Sequence, residues 1–422
     1  MKSCTKCGRL YPVDSGFCPV DGSQLLSVSQ APIAASTEDP KVGTAVLGRY
    51  EVRRVVADGG MGRVYEALDL ETRRNVALKI LHHEVARDSV AVERFRREFD
   101  VSKLLSHDHV VEVYDFQPTD DGSYVLVMEF LYGEELRSAL KRESVLPPAR
   151  IVRMLAQLAA GLDSAHQKQL VHRDLKPDNV FLCQQRDGDV VKILDFGSVK
   201  DKADNAKKLT VLGTTIGSPF YMAPEQAQGL ETLDHRADVW ALAAIVYECL
   251  TGSVPFGGVN GPSILLEILT KSPVPPSERA EGKKYTVPPT LDRVMAWAFQ
   301  KNPAMRIPNA GDLADRVGQA YGLEGTHLDW IAMTQPEVEA QINERMPAAV
   351  AAMAEQAQKG TALDDFFGDG GNLLDQSVRP PAIGDDAVPI PQPAMRAFPV
   401  WLIVVAVGIV LLLGGIIGIL SR

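Results

Sequence analysis

Five stretches between residues 49 and 130 carry β-branched or alternating apolar positions: RYEVRRVVADGG, GRVYEALDL, RRNVALKIL, VVEVYDFQ and YVLVMEF. Each reads as a strand. One segment among them has a different period. In SVAVERFRREFDVSKLLS, Val92, Phe95, Phe99 and Val101 to Leu105 recur at helical spacing, which predicts a single helix inside the run of strands. After Gly133 the pattern changes. IVRMLAQLAAGLDSAHQKQL and ADVWALAAIVYECLTG are apolar around most of a helix's circumference and predict buried helices. The expected fold is α+β and bilobal, with a β-rich small lobe, an α-rich large lobe and a ligand cleft between them.

This main globular unit spans residues 46–321, and no internal repeat is visible. Residues 27–45, VSQAPIAASTEDPKVGTAV, are small, polar and proline-containing and read as a linker. Residues 322–360 include WIAMTQPEVEAQINERMPAAVAAMAEQAQ and predict a helical extension. Residues 361–397 turn acidic and proline-rich, the composition of a disordered tether. Residues 398–420 are uncharged and apolar, and as a helix they would run about 34 Å, enough to cross a bilayer core. Phe398 and Trp401 fall where an interfacial aromatic belt would lie. The segment predicts a single-pass tail anchor in the inner or plasma membrane.

Composition narrows the partners. The 422 residues carry a formal net charge of −10, which argues against a nucleic-acid partner. The five cysteines are odd in number, with three near the N-terminus, and do not form a disulfide framework. Within residues 1–26, CTKCGRLYPVDSGFCPVDG places Cys4 and Cys7, then Cys18 and Asp21, at zinc-ribbon spacing, with Gly8 and Gly22 after the second and fourth positions. Zinc accepts a carboxylate oxygen, so three cysteines and Asp21 can hold Zn2+. A metal-free hairpin held by Leu10, Tyr11, Phe17 and Leu25 fits the same residues.

The chemistry-bearing residues begin with VVADGGMGRVYEA at 55–67. Glycines let backbone N–H groups approach a phosphate. Gly59, Gly60 and Gly62 are present, but Ala57 stands where the first glycine of G-x-G-x-x-G would fall. Such a degraded loop alone fits a hairpin bulge equally well. VALK follows, and Lys79 on an apolar strand needs an anionic partner. Glu98 on the predicted helix supplies one. LVHRDLKPDNVFL and VKILDFGSV then place Asp174, Lys176, Asn179 and Asp195 at strand ends or in a tight loop. A proton-accepting aspartate, a neighbouring lysine and two oxygen ligands suit metal-assisted phosphoryl transfer.

Taken together, GGMGRVY, VALK, Glu98, HRDLKPDN, DFG, GSPFYMAPEQ, ADVWALA and NPAMR resemble the eukaryotic-like serine/threonine protein kinases of bacteria. The resemblance covers about residues 48–321. It implies transfer of the ATP γ-phosphoryl group to protein serine or threonine, since Lys176 follows the serine/threonine pattern. Lys79 would bind the α- and β-phosphates and pair with Glu98. Asp174 would orient or deprotonate the substrate hydroxyl, Lys176 would neutralise the γ-phosphoryl, and Asn179 and Asp195 would hold Mg2+ or Mn2+. Val56 would belong to the nucleotide pocket. Val64, Ala77 and Phe181 would enclose adenine, Glu129 and Leu131 would bond its edge, and Met128 would be the gatekeeper. The loop would cover the phosphates, with Ala57 raising the Michaelis constant for ATP modestly. Thr210, Thr214 and Thr215 would be autophosphorylation sites, Ser218 a contact of Asp174 and Lys176, and Arg173 the receptor of an activation-segment phosphate. Glu225 would pair with Arg306, and Asp238 would brace the catalytic loop. The implied enzyme is membrane-tethered, cytoplasmic in its kinase part, active on protein substrates and able to form a homodimer.

Overall fold

In this computed structural model, residues 39–196, 219–230 and 233–358 are described, residues 348–358 through their backbone alone. Three short N-terminal strands are also described: β1 (Lys2–Cys4), β2 (Leu10–Tyr11) and β3 (Leu25–Ser27). They pair antiparallel in the order β2-β1-β3. Cys4 ends β1, whereas Cys7, Cys18 and Asp21 lie outside the described residues. So do Thr210, Thr214, Thr215, Ser218, the 361–397 stretch and the predicted span 398–420. Among the described residues, no helix is long and apolar enough to cross a membrane.

The small lobe is one antiparallel sheet. Its strands are β4 (Ala45–Val46), β5 (Tyr50–Asp58), β6 (Gly62–Asp69), β7 (Asn75–Leu81), β8 (Val113–Pro118) and β9 (Tyr124–Glu129), in the order β4-β5-β6-β7-β9-β8. The central strand β7 is covered on both faces, which explains its near-continuous apolar run. Val76, Leu78 and Ile80 pack with Tyr50, Tyr65 and Val127 on one side. On the other, Leu81 packs with Phe95, Val113 and Leu126. Phe95 belongs to α2 (Ser89–Leu104), the interrupting helix, which follows the short α1 (His83–Ala86). Asp88 caps α2 by accepting from Val90 N at 2.9 Å. Because side chains alternate along β7, Lys79 falls on the face that α2 covers.

The large lobe opens with β10 (Gly133–Glu135), α3 (Leu136–Glu143) and α4 (Pro148–Gln167). Strands β11 (Val180–Cys183) and β12 (Val190–Ile193) complete a second sheet, β10-β11-β12. Helices α5 (Pro224–Ala227), α6 (Arg236–Thr251), α7 (Gly261–Thr270), α8 (Pro276–Arg279), α9 (Thr290–Ala298) and α10 (Ala310–Ala320) follow. Helix α6 is buried almost all round, as its sequence requires, and it ends at Gly252 in the left-handed region with φ 71°.

The extension forms α11 (His327–Ala332) and α12 (Gln335–Gln358). Both pack on the large lobe. Trp330, Val338 and Ile342 belong to the same apolar core as α4 and α6. Gly318 on α10 makes room for the indole, since a methyl group there would sit 2.1 Å from Trp330 Cη2. Trp330 is fully buried and donates from Nε1 to Glu324 O at 2.9 Å. Truncating a buried tryptophan costs about 3–5 kcal/mol. Trp330→Ala is therefore expected to lower large-lobe stability by that amount, read as an earlier denaturant midpoint. An unchanged midpoint would show that the extension is not part of the core.

Candidate active site

The glycine loop is the turn of the β5–β6 hairpin. Gly59 N donates to Gly62 O at 3.0 Å. Ala57 pairs with Val64, and the register shifts between Val55 and Ala57. Val56 is exposed. A β-carbon on Gly62 would lie 2.3 Å from Ile80 O, so the approach of β6 to β7 alone demands glycine there. Gly60 has open space around it, and a β-carbon on Gly59 would make only an ordinary contact.

Lys79, Glu98 and Asp195 meet at the floor of the cleft. Lys79 Nζ lies 3.2 and 3.1 Å from the two Glu98 oxygens and 2.5 Å from Asp195 Oδ1. One ammonium thus serves two carboxylates. Glu98 is pushed well above the usual carboxylate range by burial and then by Asp195. Burial also opposes ionisation of Asp195, but Lys79 more than offsets it and holds that carboxyl far below its ordinary value. Asp195 adopts φ 57° and Arg173 φ 66°, conformations uncommon for residues with side chains.

The loop carrying Asp174 is held from three directions. His172 N and Arg173 N donate to the two oxygens of Asp238, each at 2.8 Å. Gln226 Nε2 donates to Arg173 O at 2.8 Å. The buried His172 ring reaches Leu194 O at 2.9 Å, joining the loop to the residue before Asp195. Asp174 itself is exposed, and Lys176 Nζ donates to its Oδ2 at 2.7 Å. Asn179 Nδ2 donates to Asp174 O at 2.7 Å, which leaves the amide oxygen as its acceptor. That oxygen and the Asp195 carboxylate are hard donors of the kind magnesium takes alongside phosphates. The residues present fit the ion.

Two buried charge clusters support the loop. Arg306 meets Glu225 through paired contacts of 2.8 and 2.9 Å, with both side chains almost without solvent contact. Asp238 accepts a third time, from His166 Nε2 at 2.8 Å. Asp163, 3.6 Å from the other His166 nitrogen, also accepts from Ala310 N and Gly311 N. Arg173 keeps Nε and Nη1 buried without a hydrogen-bond partner among the described residues. At the hinge, Ala77 pairs with Met128 across β7 and β9. Val64, Met128, Glu129, Leu131 and Phe181 are half-buried and Ala77 is buried.

Residues 50–315 match the protein kinase domain family model. The chain belongs to the protein kinase family. It is 37% identical over 294 residues to the serine/threonine-protein kinase pkn3 of Myxococcus xanthus, covering 69% of this chain and 53% of that protein. It is also 37% identical over 288 residues to PknD of Mycobacterium tuberculosis, covering 68% and 42%. The chain thus spans about half, or less, of the length of these relatives. The crystal structure of the M. tuberculosis PknI kinase domain aligns with a TM-score of 0.52 at 28% identity, covering 67% of this chain and 98% of that one.

Within this kinase fold, sequence reasoning missed three supporting residues. His166 has no signal in its neighbourhood, because a lone histidine on a helix is usually core or solvated. Lys192 on β12 reaches Glu129 Oε1 at 2.6 Å and so ties the large-lobe sheet to the hinge. Asp39 lies in a stretch whose composition reads as linker.

His166 yields a pH test. Burial alone would lower its pKa, but Asp163 and Asp238 raise it from 6.5 to about 9. A folded-state pKa raised in this way adds stability that is fully present below pH 6.5 and lost as pH rises through about 9. The shift corresponds to roughly 3 kcal/mol. The wild-type chain is expected to lose up to that much more stability than His166→Gln between pH 7 and 10. Parallel denaturation profiles would mean that the imidazole carries no charge there.

Proposed function

We propose that this protein kinase transfers the γ-phosphoryl group of ATP to serine or threonine hydroxyls of proteins. The observation that carries the reading is the meeting of Lys79, Glu98 and Asp195 in one ion cluster, with Asp174, Lys176 and Asn179 bonded together beside it. Glu98 orients the Lys79 ammonium toward the α- and β-phosphates. Asp174 accepts the proton of the attacking hydroxyl as its oxygen bonds to the γ-phosphorus. The bond from that phosphorus to the β,γ-bridging oxygen breaks, and ADP leaves. Lys176 neutralises charge on the transferring group. Magnesium or manganese, held by Asn179 and Asp195, would supply charge neutralisation at the phosphates.

The adenine would lie among Val56, Val64, Ala77, Met128 and Phe181, with the backbone of Glu129 and Leu131 at its edge. Its phosphates would lie under Ala57, Gly59, Gly60 and Gly62. The buried, unpartnered atoms of Arg173 support its role as the receptor of an activation-segment phosphate on Thr210, Thr214 or Thr215. A zinc site at Cys4, Cys7, Cys18 and Asp21, an anchor at 398–420 in the inner or plasma membrane and a homodimer complete the reading.

Incubation with labelled ATP and magnesium is expected to label the chain on serine or threonine. Asp174→Asn is expected to abolish the label, and phosphopeptide mapping to place it on Thr210, Thr214 or Thr215. Label that persists in Asp174→Asn overturns the assignment of that residue. No label in either protein, alone or in lipid, favours a scaffold that binds partners without transferring phosphate. Metal analysis of the purified chain is expected to give about one zinc per chain, lost in Cys7→Ser. A metal-free wild type leaves the hairpin alternative.

A further inference from the structure

The glycine loop is held by a residue that precedes the matched domain. Arg63, directly after Gly62, forms ion pairs with both Asp39 and Asp58. Its Nε donates to Asp58 Oδ2 at 2.9 Å. Asp58 directly precedes Gly59, so one guanidinium joins the two stems of the loop. Asp39 is the fixed end of this arrangement. Its side chain is 7% exposed, and it also accepts from Tyr65 OH and Lys41 N, each at 2.9 Å. Lys41 in turn pairs with Asp121 at 2.6 Å, fastening the segment to the turn between β8 and β9.

The crown of the loop is tied to the same cluster. His82 Nε2 lies 2.9 Å from Gly59 O and 3.2 Å from Asp58 Oδ1, and His82 N donates to Met61 O at 3.1 Å. Apolar packing does little here, since Val56 and Met61 are 44% and 43% exposed. A short loop without packing pays roughly 1–2 kcal/mol per residue when a ligand orders it. Contacts that order it beforehand remove that penalty from binding.

We propose that Asp39 is a positioning residue for the glycine loop. Acting through Arg63, it fixes the loop in the form that receives the nucleotide's phosphates. Residues N-terminal to the kinase domain thereby set the affinity for ATP. The proposal rests on the phosphotransfer reading above.

A residue that merely stabilises the sheet edge would affect every ligand of the cleft alike. A residue that positions the glycine loop should affect only ligands with phosphates. The test measures dissociation constants of magnesium-ATP and of adenosine with the full-length chain, together with KM and kcat. In Asp39→Ala, ATP binding and KM are expected to weaken about five- to tenfold, within the range of one lost hydrogen bond. Adenosine affinity is expected to stay unchanged and kcat to stay within about twofold. Tyr65→Phe, which removes one hydrogen bond to Asp39 and keeps the ring, should shift ATP alone by a smaller factor. It decides the matter if Asp39→Ala does not fold. Equal loss of ATP and adenosine, or unchanged ATP affinity, would overturn the proposal and leave the phosphotransfer reading standing. A wild-type chain that binds adenosine but not ATP would overturn both.

Discussion

A carboxylate without solvent contact sits inside α6, a helix buried almost all round. Asp238 on α6 would be costly to bury unpaired, by several kcal/mol. Its oxygens are satisfied by two backbone N–H groups of the catalytic loop and by one imidazole. The dependence runs both ways. The carboxylate is tolerable only while His172 and Arg173 stay where they are, and its bond to Arg173 N helps to hold that residue in its left-handed conformation. Everything that faces the cleft from the large lobe follows from that anchor. Asp174 is the next residue, Asn179 bonds back to its carbonyl, and the His172 ring holds Leu194 just before Asp195.

The small lobe meets this anchor through charge balance. Lys79 comes from β7, Glu98 from α2 and Asp195 from the chain after β12, so the cluster closes only when three separately folded elements are in place. The count of one ammonium to two carboxylates leaves an excess negative charge in a partly buried site. Burial raises Glu98 first, and the neighbouring Asp195 charge adds to it. The excess also defines what phosphates must displace: an anionic ligand competes with the carboxylates for Lys79, and the shorter contact is the one to Asp195. In the proposed reaction, Asn179 and Asp195 would hold a divalent cation whose positive charge would relieve that competition.

Much of this was legible in the sequence because it is local. Strand alternation around Lys79, the helical spacing around Glu98 and the apolar girth of α6 each arise within one element. Resemblance then supplied which residues face one another, and the structure brings Lys79 to Glu98 and Asp195, and Arg306 to Glu225. The illegible part is tertiary hydrogen bonding between distant positions. His166 and Asp238, or Lys192 and Glu129, leave no pattern in either of their own segments. Gly62 carries a second constraint that its motif does not display. Its spacing suggests access for phosphate, whereas the carbonyl of Ile80 already excludes any side chain there. The linker-like composition around Asp39 hid a buried aspartate because burial there depends on Arg63 and Tyr65, not on neighbours in sequence.

The same reasoning explains why the helical extension belongs to the working part of the molecule. Helix α4 has α10, α11 and α12 against it and also bears on the β12 strand that leads to Asp195. Gln157 on α4 bonds both Val191 N and Asp189 O of that strand region. Gln335, the first residue of α12, donates to Asp187 O, and Arg153 on α4 donates to the same carbonyl. The turn before β12 is therefore clamped between α4 and the extension. Close-packed helices with few voids transmit strain instead of absorbing it. Displacing α12 must either break the bond to Asp187 or carry the β11–β12 turn with it. Segments flanking the kinase domain thus reach the two halves of the cleft by separate routes: the C-terminal helices through α4 and β12, and, in the proposal above, the N-terminal segment through Asp39 and Arg63.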